Sequence, residues 1–299
     1  MSVITIILGW FGITPTWNEE QTTENGIIEY TNVKYGERER ELVDIYIPEG
    51  VSGTVSVILS IHGGAWVTGD KSSYTEESKY AAEIGYIGAT LNYTYISETT
   101  HCDLILDEIT MALKKVCEKA AEKGITVDKY FIRGASAGGH LATLYAYSRG
   151  GESGVQPAFV HNMCGPNALE YLDALLPMLT SNTLGTADYL CQLIGNLAGV
   201  TITADTANTP EVAAALQQVS ATHFVSTAVP TITSHGTLDT IVPYLNATIL
   251  DGLLEQQGVE HVLYTYTTSG HGLENNSELD KEVNAKALEW CGIYLSCGK

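Results

Sequence analysis

Basic residues are scarce: 15 Lys and Arg stand against 35 Asp and Glu, a formal charge of −20. A surface of that sign repels phosphate backbones and anionic headgroups, so nucleic acid is not an expected partner. Long apolar runs are also lacking. Beyond the N-terminus no stretch approaches the about 20 apolar residues of a membrane span. The six cysteines, at 102, 117, 164, 191, 291 and 297, form no CxxC pair and lack the dense spacing of a disulfide scaffold. They read mostly as buried free thiols. No repeat, low-complexity tract or Pro/Gly/Ser linker interrupts the 299 residues, and 44% of them are hydrophobic. One domain over 1–299 with a large core is therefore expected.

The N-terminus, MSVITIILGWFGITP, has the apolar core of a signal peptide but no Lys or Arg before it and no evident cleavage site. The other reading is an apolar segment packed onto the domain. The expected compartment is accordingly the cytoplasm, with secretion as the alternative. The sequence leaves the oligomeric state open.

What the chain does have is alternation. LVDIYIP (42–48) alternates like a half-exposed strand, and VSVILSIHG (55–63) is nearly continuous, like a central strand of a parallel sheet. Further strands are expected in YIGATLNYT (86–94), KYFIRGA (129–135), AFVHNMCG (158–165), VPTITSHG (229–236) and HVLYTYT (261–267). Between them lie helical patterns. In 102–123, Ile105, Ile109, Ala112, Leu113, Val116 and Ala120 recur at three- and four-residue steps, Asp107, Glu108 and the lysines read as a solvated face, and Gly124 is a natural stop. Residues 244–257, 278–296 and the stretch after Ser136 read similarly. The pattern predicts an α/β fold of right-handed βαβ units around a mostly parallel sheet. Residues 166–224 break the rhythm with helical fragments and no strand, as a helical cap over the carboxyl edge of the sheet would.

Four short motifs carry chemistry. Gly134-Ala135-Ser136-Ala137-Gly138 fits G-x-S-x-G between a strand and a helix, where small neighbours let the chain turn sharply around the serine. A serine hydroxyl needs a base to take its proton and an acid to orient that base. Asp239, in HGTLD, and His271, in GHG, each follow a strand and so fall at the same sheet edge as Ser136. IHGGAW (61–66) ends another strand, and the N–H groups of Gly64 and Ala65, with that of Ala137, would bind an oxyanion. Asp205 and Asp251 are weaker candidates for the acid, and His223, His235 and His261 for the base. His62 and His140 read as scaffold, His62 bracing the oxyanion loop. Trp66 either lines the pocket or anchors that loop.

HGGAW, GASAGGH, HGTLD and GHG, in this order, resemble the hormone-sensitive-lipase-like and acetylesterase-like carboxylesterases of the α/β-hydrolase superfamily, over about residues 30–165 and 228–297. The resemblance implies hydrolysis of carboxylic esters through an acyl-enzyme, with Ser136, Asp239 and His271 as triad and with no metal or cofactor. The acidic surface then points to small neutral, short-chain esters, carbohydrate acetyl esters among them. HGGAW is also similar to the kynurenine formamidase branch, which makes an N-formyl amide the alternative substrate. A non-catalytic binding protein on this scaffold is the third reading. The segment that commonly reads N-Y-R-L in the family is here Asn92-Tyr93-Thr94-Tyr95, and the prolines that usually follow are missing from ISETTHCDL.

Overall fold

The computed structural model describes residues 19–172, 187–203, 206–207 and 209–298. The strands are β1 (Glu20–Glu24), β2 (Ile27–Lys34), β3 (Leu42–Pro48), β4 (Gly53–Thr54), β5 (Val57–Ile61), β6 (Ile87–Leu91), β7 (Ile125–Thr126), β8 (Lys129–Ala135), β9 (Gln156–Met163), β10 (Thr231–Gly236) and β11 (His261–Tyr266). The helices are α1 (Thr75–Glu83), α2 (Cys102–Ala121), α3 (Ala137–Ser148), α4 (Ala187–Ala198), α5 (Pro210–Gln218), α6 (Leu245–Gln257) and α7 (Ser277–Tyr294). Nine strands form one sheet in the order β1-β2-β3-β6-β5-β8-β9-β10-β11. From β6 to β11 every neighbouring pair is parallel, while β1, β2 and β3 join antiparallel at one side. This is the α/β-hydrolase fold.

The pleat explains both layers of the core. Along β8, Tyr130 and Ile132 point to one face of the sheet, where they join Leu59, Val160 and the α2 and α3 residues Ile109 and Leu141. Phe131 points to the other face, stacking on Phe159 of β9 at 4.0 Å beneath Trp290 of α7. With both faces covered, β5 and β6 are buried along their whole length, which is why they read as unbroken apolar runs. Among the described residues, no helix is long and apolar enough to cross a membrane.

Two expectations need correction, the first being β3, which alternates like a half-exposed strand yet is buried along its whole length because helices and neighbouring strands cover it. β1 and β2 had no clear signature: β1 is the polar, exposed run EQTTE, and β2 loses its alternation where the register shifts between Tyr30 and Val33 and Asn32 turns to φ 56°. The second correction is Glu108. It lies on α2 among the charges assigned to solvent, yet it is fully buried, because its carboxylate accepts from the Thr94 N–H at 2.7 Å and from the Thr94 hydroxyl. Burial pushes the Glu108 carboxyl up to about 7, against the pull of the Thr94 hydrogen bonds and with help from the buried Glu41 carboxylate.

A raised carboxyl favours the folded protein while it is protonated, so this stabilisation is complete below the ordinary glutamate range and is lost as the pH rises through about 7. Thermal melts at about pH 5 and about pH 8 are expected to show a lower Tm at the higher pH, and Glu108→Gln is expected to flatten that difference. An unchanged slope in Glu108→Gln would show that another group carries the effect.

The apolar N-terminal stretch and most of the helical fragment LEYLDALLPMLT lie outside the described residues. Its first residues form a 3-10 turn, Leu169–Tyr171, and the fragments ADYLCQLIGNLAG and PEVAAALQQV contain α4 and α5.

Candidate active site

Because β5, β8, β9, β10 and β11 run parallel, the loops at their carboxyl ends converge on one sheet edge. Ser136 follows β8 directly, at φ 56° and ψ −124°, a conformation that a non-glycine residue adopts only under strain. Its N–H donates to the Met163 carbonyl at 2.7 Å, and its side chain makes no capping bond to α3. The neighbouring glycines are required by close approach. A Cβ on Gly138 would lie 2.1 Å from the Ile61 oxygen, and one on Gly134 would lie 2.4 Å from the Gly138 carbonyl carbon.

Asp239 comes from the loop after β10 and is buried. One of its oxygens accepts the N–H groups of Ile241 and Val242 at 2.8 and 2.9 Å. The other accepts the Nδ1–H of His271, from the loop after β11, at 2.7 Å. Sequence reasoning left out the other partner of that second oxygen. His235, taken as structural, is fully buried with Nε2 3.3 Å from Asp239 Oδ2 while donating to the Val242 carbonyl at 2.8 Å. The signal available was the four-residue spacing of His235 and Asp239 across a tight strand-end turn. Burial would raise the Asp239 carboxyl, but the hydrogen bonds from His235 and His271 outweigh it and hold the group far below the usual carboxylate range.

Gly64, Ala65 and Trp66 form a turn with φ of 111°, 50° and 62° in succession, closed by the Val67 and Thr68 N–H groups on the Gly64 carbonyl. Left-handed conformations at Ala65 and Trp66 cost on the order of 1–3 kcal/mol each and need outside support. The Trp66 indole N–H donates to His140 Nδ1 at 3.1 Å, and His140 in turn donates from Nε2 to the Val219 carbonyl at 2.7 Å, tying the turn to α3 and to the segment after α5. His62 donates from Nδ1 to the Gly63 carbonyl at 2.7 Å and stacks on Tyr93 at 4.3 Å. Arg40 lies 3.8 Å over the Tyr95 ring and donates to the carbonyls of Tyr93 and Gly69 at 2.9 and 3.0 Å. Burial lowers both His62 and His140 to about 4, so each stays neutral and keeps one tautomer at neutral pH.

Gly64, Ala65, Trp66, Ser136, Ala137 and His271 line one cavity of about 380 Å³. Ala137 is the first residue of α3, so its N–H has no intrahelical acceptor, and the positive end of the helix faces the same space. Trp66 is therefore both an anchor and part of the wall. The competing candidates lie elsewhere. Asp251 pairs with His261 at 3.4 Å, His223 faces Glu170 at 3.7 Å, and Asp205 falls outside the described residues. Cys164, His235 and Asp239 bring donor atoms within 4.8 Å of one another. Burial pushes the Cys164 thiol up to about 12, and the carboxylate oxygens of Asp239 are taken by N–H donors, so the cluster is built for hydrogen bonding. Among the described residues, all six cysteines are free thiols.

The sequence model of the BD-FAE family matches residues 43–254. The chain is 24% identical over 249 residues, 80% of its length, to a probable isoprenylcysteine alpha-carbonyl methylesterase of Oryza sativa subsp. japonica, of which the alignment covers 57%. It is 28% identical over 247 residues, 81% of its length, to the esterase LipQ of Mycobacterium tuberculosis, of which 56% is covered. These alignments span little more than half of each relative's own length. Among solved structures, a bacterial heroin esterase superposes with a TM-score of 0.70 at 19% identity, covering 99% of this chain and 90% of that one. A truncated carbohydrate esterase from gut microbiota gives 0.68 at 17% identity, covering 91% and 99%.

Proposed function

This chain belongs to the BD-FAE family, and from that membership we propose that it is a serine carboxylesterase acting on neutral esters. The observation that carries the reading is the His271 Nδ1–H bond to Asp239 at 2.7 Å, in a cavity that Ser136 shares. With Nδ1 committed to Asp239, Nε2 of His271 carries the lone pair and can take the Ser136 proton. The Ser136 to His271 hydrogen bond that this step needs is of a kind that commonly forms only when substrate binds. Ser136 Oγ attacks the ester carbonyl, and the developing oxyanion is held by the N–H groups of Gly64, Ala65 and Ala137. The imidazolium protonates the departing alcohol, leaving acyl-Ser136. Water, deprotonated by His271, then attacks the acyl carbon and frees the acid.

We read residues 166–224 as a cap, because Leu169, Leu172 and three residues of α4 form the far wall of the cavity. The names of the relatives, an isoprenylcysteine methylesterase and an esterase, support an ester bond as the one cleaved. Hydrolysis of an aryl ester such as p-nitrophenyl butyrate tests the proposal. Activity that disappears in Ser136→Ala is expected, and activity retained in that variant would overturn it.

A further inference from the structure

The wall of the cavity is almost wholly hydrocarbon. Leu190, Leu193 and Ile194 stand at i, i+3 and i+4 on α4 and present one apolar face to the cavity, which Leu169, Leu172 and Val242 also line. Apart from the catalytic groups and the Thr68 hydroxyl, the polar side-chain atoms that reach the wall are already engaged. Asn246 accepts the Ala168 N–H at 3.2 Å and donates to the Pro243 carbonyl at 3.2 Å, and the Trp66 N–H is given to His140. A sugar hydroxyl entering this wall would lose its water and find no partner, which disfavours it; a methylene would gain.

Resting on the esterase reading, we infer that the substrate carries a hydrocarbon acyl or alcohol group longer than acetyl, and that Leu190, Leu193 and Ile194 set the length accepted. The chemical class is thus an aliphatic or terpenoid-like ester, with carbohydrate acetates excluded from the enclosed part of the site. Each further methylene buried against this wall is expected to raise kcat/KM about fourfold until the cavity is filled.

Two ester series test the inference: ethyl alkanoates from acetate to octanoate, and n-alkyl acetates from ethyl to octyl, with xylose tetraacetate as the polar comparison. A rise in kcat/KM with chain length in at least one series, above the sugar acetate, supports it. Flat series, or a preference for xylose tetraacetate, overturn it. Leu193→Trp, which fills the wall, is expected to remove the rise. Leu193→Ala, a milder change, is expected to move the optimum to longer chains. Binding of 1-butanol, 1-hexanol and 1-octanol to Ser136→Ala by calorimetry gives the same answer without chemistry. Affinity should climb about fourfold per methylene, and equal affinities overturn the inference. If no ester is cleaved while the alcohols still bind in this graded way, the esterase reading fails and the hydrocarbon site stands.

Discussion

Asp239→Asn is expected to lower kcat on an aryl ester by about 10⁴-fold while the protein stays folded. The reason is the division of labour between the two carboxylate oxygens. One is held by the N–H groups of Ile241 and Val242, and an amide oxygen can take that place unchanged. The other accepts the Nδ1–H of His271, and there the amide would present a donor to a donor. Relief comes if His271 moves its proton to Nε2, which blinds the imidazole as a base toward Ser136. Steady-state kinetics at neutral pH, with circular dichroism as the check on folding, read the effect. A loss below tenfold would mean that His271 does not depend on Asp239. The same substitution alters stability at low pH. Because the folded Asp239 carboxyl is held far below its ordinary range, its contribution is present above that range and lost on acidification, and Asp239→Asn removes this dependence.

The second large effect is expected at Gly64. A Cβ there would lie 2.2 Å from the Thr68 carbonyl oxygen, and φ of 111° is closed to other residues in any case. Gly64→Ala must therefore open the turn whose Gly64 and Ala65 N–H groups we propose as oxyanion donors. Losing one oxyanion donor typically costs about 10²–10³ in kcat. We expect a fall of that size in Gly64→Ala, with KM changed far less, because the donors act on charge that develops in the transition state. Leu190, Leu193 and Ile194 line another part of the same cavity, so binding of 1-hexanol is expected to fall far less than kcat. A variant with full kcat would remove Gly64 from the oxyanion site.

Most of the parallel sheet was legible because its strands are buried on both faces and end in glycine, and the helices because their apolar steps are regular. What escaped notice had local reasons. β1 is polar and exposed, and the pattern of β2 is broken where Asn32 adopts a positive φ. Glu108 was misread because a helix surface position reveals nothing about the loop above it; only the fold brings Thr94 down onto its carboxylate. The candidate site was legible in its strand-end residues, Ser136, Asp239 and His271, which a parallel sheet brings to one edge. The supports were not. Arg40 comes from the loop before β3, and Val219 from the region after α5, and neither is near HGGAW in sequence. His235, in the Asp239 loop, proves to be such a support, its ring lying against Asp239.

The proposed chemistry stands or falls with Ser136 as a nucleophile activated by His271. Covalent labelling by a fluorophosphonate, followed by peptide mapping, reads that activation without a substrate. One adduct per chain is expected, on the peptide containing Ser136, with labelling slowed by orders of magnitude in His271→Ala. An unlabelled Ser136, or labelling at an unchanged rate in His271→Ala, would contradict it.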